Sequence, residues 1–156
     1  YTSRFLTLTK GTGVINRIFH GYGKFEGEMD GRKNGALISM ANGKAVAFAI
    51  FNLQARGEMF VTHNDPVYEG MIVGLAPKAG DMIINVMKGK QLTNMRTQGT
   101  DENVVLTPVR QMSIAEQLSM LNTDEALEIT PKSLRLRKAI LNPNDRKKNE
   151  KSGTPL

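Results

Sequence analysis

The sequence predicts an α+β fold that is mostly β: the severed end of an α/β unit, then a small antiparallel β-sheet or barrel with one or two short helices. Three observations predict it. The chain opens on a helical ending and one β-prone run, which cannot close a core between them. From Gly35 onward short β-prone runs recur, each fenced by turn residues. Beyond these runs, helix starts are signalled by a capping box at Ser113 and by an Asn-Pro pair at Asn142.

In chain order, YTSRFLTLTKG sets Phe5 and Leu8 one helical turn apart, with Gly11 where a left-handed C-terminal cap falls. The run from Val14 to Phe19 reads as a strand bounded by glycines, and the turn-rich GYGKFEGEMDGRKNG follows it. GALISM and KAVAFAIFNL read as two strands of a hairpin joined by Asn42-Gly43. EMFV, GMIVGL, DMIINVM and NVVLT read as further strands, with Asn64-Asp65-Pro66 and Ala79-Gly80 as turns. Ser113 caps a short helix whose Glu116 reaches back, with Ile114, Leu118 and Leu121 on one face. LEIT and SLRLRK are the last strands. Leu134 and Leu136 alternate with Arg135 and Arg137, so one face is core and the other cationic. Asn142-Pro143 then caps a final polar helix, NPNDRKKNEK. The expected division is 1–30 for the severed unit and 31–156 for the second domain.

The 156 residues suit one such domain plus a remnant, and no apolar run approaches the ~20 residues of a membrane span. The first residue is Tyr1 rather than Met, so the chain reads as a piece of something longer. There is no cysteine and no secretory signal, which fits a reducing, cytoplasmic setting. The net charge of +6 and a pI near 9.7 favour a polyanionic partner. Eight cations from Lys132 to Lys151 face only Asp145 and Glu150, which accounts for the whole imbalance. All nine aromatics lie at or before Tyr68, so RNA bound by the second half is held through phosphates, shape and Arg or Asn edges rather than by stacking.

Nucleotide chemistry finds no support within the chain: there is neither GxxxxGK[ST] nor GxGxxG, and Gly11-Thr12-Gly13 lacks the third glycine. His20 and His63 have no metal-ligand spacing, and turn chemistry accounts for His63-Asn64-Asp65 better than a hydrolase triad does. Asp101-Glu102 and Asp124-Glu125 read as solvated or capping acids. Neither catalysis nor a cofactor or metal is expected here.

The excursion from Lys88 to Thr100 contains no acid, carries Lys88, Lys90 and Arg96, and has Gly89 and Gly99 as hinges. Loops of this length in compact domains are uncommon and usually functional or disordered. A hinged, acid-free finger suits a crowded negative environment. The alternative is a protein-interaction module built on strand edges and on Met71, Met82 and Met87.

RKNGALISMANGKAVAFAIFNLQARGEMFV, DPVYEGMIVG, NVMKGKQLTNMRTQGTDENVVLTP and ITPKSLRLRKAIL together resemble the C-terminal part of the BipA/TypA translational GTPases. TSRFLTLTKGTGVINRIFHGYG is similar to the last helix and strand of the ferredoxin-like domain that elongation factor G and its relatives share. The resemblance implies a cytoplasmic, ribosome-associated factor of translation under stress and of ribosome assembly, with GTP and Mg2+ held by a GTPase domain upstream. It implies docking on large-subunit rRNA near the acceptor end of A-site tRNA, with no membrane partner; a monomer is the expectation. Carried over by position, Lys88, Lys90, Gln91, Thr93, Asn94, Met95 and Arg96 become an RNA-facing finger. Arg135, Arg137 and Lys138 become a basic strand on rRNA backbone, joined by Arg146, Lys147 and Lys148 of the tail. Thr97-Gln98 departs from the small residue or serine many members carry after the finger's arginine.

Overall fold

The computed structural model describes residues 2–25, 32–89 and 105–152. Helix α1 (Thr2–Leu8) ends where expected, with Gly11 at φ +81° and its N–H bonded to the Leu6 carbonyl at 2.7 Å. The strand expected from Val14 to Phe19 is not formed. Residues 13–25 have no regular structure, and Ile18, Phe19 and Tyr22 stand largely in solvent. A β-prone run needs a neighbouring strand for its backbone groups, and none of the described residues supplies one.

The remaining elements are β1 (Ala36–Ser39), β2 (Gly43–Lys44), α2 (Ala47–Gln54), β3 (Glu58–Met59), β4 (Pro66–Val67), β5 (Ile72–Leu75) and β6 (Met82–Ile84). They are followed by α3 (Ile114–Ser119), β7 (Glu125–Ile129), β8 (Leu134–Lys138) and α4 (Pro143–Ser152). The main sheet runs β3-β5-β1-β6, with β1 antiparallel to β5 and parallel to β6. Two-stranded antiparallel pairs β2-β4 and β7-β8 flank it. Mixed α and β with small, mostly antiparallel sheets agrees with the expected class, but among the described residues no sheet closes into a barrel.

The reason lies in the central strands. Every residue of β1 and β5 is buried, so both faces of this sheet are covered. Leu37 and Val73 face one core with Ile50 of α2, Val67, Ile84 and Val86. Ala36, Ile38 and Ile72 face a second core with Leu136 of β8, against which Phe60, Met112, Leu121 and Leu127 pack. The sheet is therefore the middle layer between α2 on one side and the β7-β8 hairpin with α3 on the other.

KAVAFAIFNL contains a helix rather than a strand. Val46, Ala49, Ile50 and Leu53 recur at the helical spacing i, i+3, i+4, i+7, and Ala49 and Ile50 are buried while Phe51 and Asn52 are exposed. The Asn42-Gly43 hairpin fails with it: β2 pairs with β4, not with β1. Val105 to Thr107 of NVVLT likewise form no strand, and Asn103 and Val104 lie outside the described residues. His63 Nδ1 accepts the Ala47 N–H at the head of α2, and Asn64 adopts φ +70°, which gives these residues their turn and capping work.

Ser113 caps α3 as expected, its hydroxyl accepting the Glu116 N–H at 3.3 Å. Glu116 does not reach back; its carboxylate holds Arg110 instead. Asn142 Oδ1 accepts N–H groups of Asn144 and Asp145 at the head of α4, a helix with no buried residue. Gly70 brings the hairpin onto the sheet. It has φ +82°, and a Cβ there would lie 2.7 Å from Leu141 Cα.

Candidate nucleic-acid interface

The finger is rooted at both ends on the core that α2 covers. At its start Val86 is fully buried, its carbonyl takes the Val46 N–H at 2.9 Å, and Met87 packs on the same core. At its return Leu106 joins that core, and the backbone of Thr107 is clamped by Gln54, whose amide donates to the Thr107 carbonyl at 2.8 Å and accepts its N–H at 3.1 Å. Lys88 stands at the first root, exposed, with no ion pair to any described residue. Lys90, Gln91, Thr93, Asn94, Met95 and Arg96 lie outside the described residues.

The basic strand divides by face. Leu134, Leu136 and Lys138 alternate with Arg135 and Arg137, so Lys138 falls on the inner side. Its side chain is 2% exposed, and Nζ lies 2.5 Å from Asp81 Oδ2, 2.6 Å from Asp124 Oδ2 and 3.0 Å from Glu125 Oε1. Glu125, whose side chain is 0% exposed, also receives both terminal nitrogens of Arg32, at 2.7 and 3.2 Å. Asp81 adds the Ala36 N–H at 2.7 Å. Burial alone would lower the pKa of Lys138, but its hydrogen bonds to Asp124 and Asp81 and the charge of Glu125 outweigh it and raise the value above the ordinary 10.5. Burial would raise Asp81; the Ala36 N–H and Lys138 together hold it below the ordinary 3.8.

Two expectations are corrected here. Lys138 is not an outward-facing cation, because its charge is consumed by three carboxylates of the same chain. Asp124 and Glu125 are not merely solvated or capping acids, because both bind the buried Lys138 ammonium, Glu125 from full burial and Asp124 from a partly exposed position. Parity within SLRLRK was the available signal: counting by two from Leu134 and Leu136 lands on Lys138.

The other cations stay nearer the surface. Arg135 is half-buried, with Nη1 3.3 Å from Glu128 Oε1, directly across the hairpin. Glu128 also accepts the Tyr68 hydroxyl at 2.6 Å, and burial followed by that bond pushes the Tyr68 pKa up to about 12. Arg137 donates to the carbonyls of Lys138 and Ala139, and Arg146 to those of Ile140 and Leu141 at 3.0 and 2.6 Å. Lys147 is exposed, and Lys148 meets Asp145 at 3.4 Å while remaining 80% exposed. Lys132 projects from the β7-β8 turn, with no ion pair to a described residue.

Of the methionines offered to a protein partner, Met71 is buried and Met87 packs against the core; Met82 is 39% exposed. No group of three metal-ligating side chains exists among the described residues, and no described helix is long and apolar enough to cross a membrane.

The family model described as the TypA/BipA C-terminal domain matches residues 34–143. The chain is 46% identical over 157 aligned residues, its full length, to a protein of Buchnera aphidicola subsp. Schizaphis graminum named large ribosomal subunit assembly factor BipA. Proteins of the same name from Salmonella typhimurium and Escherichia coli K12 are each 46% identical over 149 residues, 95% of this chain. The chain spans 26% of the first relative and 24% of the other two.

Proposed function

Because the chain belongs to the TypA/BipA C-terminal domain family, we propose that it is the non-catalytic, ribosome-binding part of a ribosome-dependent GTPase acting in large-subunit assembly and in translation under stress. Its relatives are named as assembly factors of the large subunit. In this reading GTP and Mg2+ belong to a domain upstream, and residues 1–30 complete a ferredoxin-like unit with that upstream chain. The exposed apolar side chains Ile18, Phe19 and Tyr22 suit such a packing. The setting is cytoplasmic, and the partners are large-subunit rRNA and the acceptor end of A-site tRNA.

One observation carries the reading. Between Lys88 and Thr100 the chain holds three cations and no acid, and it leaves one core at Lys88 and rejoins that same core at Leu106. Roots fixed on one core hold the two ends of this stretch together, which suits its cations to reception by phosphate. Lys132, Arg135, Arg137, Arg146, Lys147 and Lys148 supply further backbone contacts; Lys138 is excluded by its burial.

The test is a triple substitution, Lys88→Ala with Lys90→Ala and Arg96→Ala. Large-subunit binding by the full-length factor weakens, the slope of log affinity against log salt falls by about 2 to 3 in all, and thermal melting stays unchanged. Unaltered affinity with an unaltered slope removes the finger from the mechanism.

A further inference from the structure

The second core is not filled to its edge. A cavity of about 780 Å³ opens between the main sheet, the segment leading into α3 and the β7-β8 hairpin. Phe60 and Ile72 of the sheet side, Met112, and Leu134 and Leu136 of the hairpin give it apolar walls. Arg110, Lys132 and Arg135 are the charged residues of its lining, and no carboxylate joins them. The acids that pair with Arg110 and Arg135 sit outside the lining.

Gln117 of α3 also lines this cavity. It is 8% exposed, and its Oε1 has no hydrogen-bond partner among the described residues. The amide cannot simply be turned over to relieve this, because Nε2 already donates to the Met112 carbonyl at 3.3 Å, and an oxygen placed there would oppose an oxygen. A buried acceptor left unpaired is costly. The cavity therefore offers an inward acceptor, apolar walls and a cationic lining.

A ligand that satisfies all three donates an N–H or O–H, buries an apolar body and carries negative charge. We propose that the cavity receives one unpaired nucleotide of RNA, its base against the Phe60 side with an N–H edge on Gln117 Oε1 and its phosphate at Lys132 and Arg135. The volume falls within the usual range for small-molecule sites, ~300–1,000 Å³. Arg135 reaches Glu128 through Nη1, and a guanidinium has five donors, so it can serve a phosphate as well. A base stacked in a duplex presents only its groove edge and cannot enter a walled cavity, so only an unpaired one fits. The inference rests on the RNA-binding reading but places a recognition site on the opposite face of the sheet from the finger's roots.

The experiment follows the Met112 methyl and Gln117 amide NMR signals of the full chain during titration with adenosine 5′-monophosphate, uridine 5′-monophosphate, ribose 5-phosphate and a tri-arginine peptide. Both nucleotides shift both signals, while ribose 5-phosphate and the peptide leave them in place. Gln117→Met weakens nucleotide binding about tenfold. Lys132→Ala, at an exposed position that leaves the core intact, weakens it as well. Equal shifts from ribose 5-phosphate, a response to the peptide alone, or an unchanged affinity in both variants overturns the proposal. If rRNA is retained in a Lys88-dependent way while the cavity stays silent, this inference falls and the functional reading stands. If nucleotides bind here but rRNA is not retained, the site stands and that reading falls.

Discussion

Lys138 and Lys88 belong to one set of cations read from the sequence, and the fold treats them oppositely. Lys138 is enclosed, its ammonium within 3.0 Å of three carboxylates. Lys88 is exposed, with no described acid beside it. Charge along the chain does not separate the two, since neither has an acid within three residues on either side. What separates them is geometry. Strand parity turns Lys138 inward, and the β7 register sets Glu125 opposite it. The loop leaving β6 carries Lys88 away from the core. A cation is available to RNA when its side chain leaves the fold, and neighbours in sequence do not decide that.

The same substitution at the two positions breaks or confirms this contrast. Lys138→Met leaves Glu125 buried with Arg32 as its one charged partner beside the Asn122 N–H, and leaves Asp81 and Asp124 without their shared cation. Breaking a buried ion pair costs about 3 to 5 kcal/mol, and the lower end applies here because Arg32 stays on Glu125 and water reaches both aspartates. Urea unfolding should show a loss of that order, whereas Lys88→Met should keep its midpoint. A loss below about 1 kcal/mol for Lys138→Met would mean the cluster contributes little.

The cluster also sets a pH window. Asp81 is depressed, so its contribution is complete above 3.8 and disappears as pH falls through its lower folded value. Lys138 is raised, so its contribution is complete below 10.5 and disappears as pH rises through its higher folded value. Melting temperature should therefore be level between these edges and fall outside them. Tyr68, raised to about 12, adds to the alkaline side. Lys138→Met should erase the acid edge in part and the alkaline edge down to what Tyr68→Phe removes. An alkaline edge that survives both changes has another cause.

A smaller effect is expected where the hairpin meets the sheet. Gly70→Ala puts a side chain at φ +82° and a Cβ 2.7 Å from Leu141 Cα. Left-handed strain alone costs about 1 to 3 kcal/mol, and the contact with Leu141 adds to it. Calorimetry should show a lower melting temperature, and rRNA retention should weaken only where the variant is partly unfolded. Full stability in this variant would mean that the close approach is not needed.

How far these features could be read beforehand depends on how local their causes are. Gly11, the Ser113 cap, the Asn142 cap and the β7-β8 strands were legible because each follows from a few adjacent residues. The α2 helix was legible in principle: Val46, Ala49, Ile50 and Leu53 have helical spacing, but Asn42-Gly43 drew the segment into a hairpin. The strands β1 and β5 and their small sheet were legible, but double-faced burial removes the alternation that tells which face is covered, so an open sheet covered on both sides was not distinguished from a barrel. In the candidate site, exposure of Lys88, Lys147 and Lys148 followed from local polarity. Burial of Lys138 required Asp81, Asp124 and Glu125, which only the fold assembles. Gln117 gave no advance signal, because nothing in the sequence distinguishes a buried amide on a short helix from a solvated one.

The faintest effect on stability isolates the outer cations themselves. Lys147 and Lys148 lie on α4, which buries nothing, and the Lys148–Asp145 pair is 80% and 59% exposed. Exposed pairs of this kind contribute about 0 to 1 kcal/mol, commonly nearer zero, because water screens them and ordering the side chains has its own cost. Lys147→Ala with Lys148→Ala should therefore leave the unfolding midpoint within error of the parent. The same double variant should still lower the salt slope of rRNA binding by up to about 1.8 if both lysines meet phosphate. A shift in stability with no shift in slope would reverse their assignment and make α4 a structural cap on the hairpin. A shift in slope alone means that these charges act outward, as Lys138 cannot.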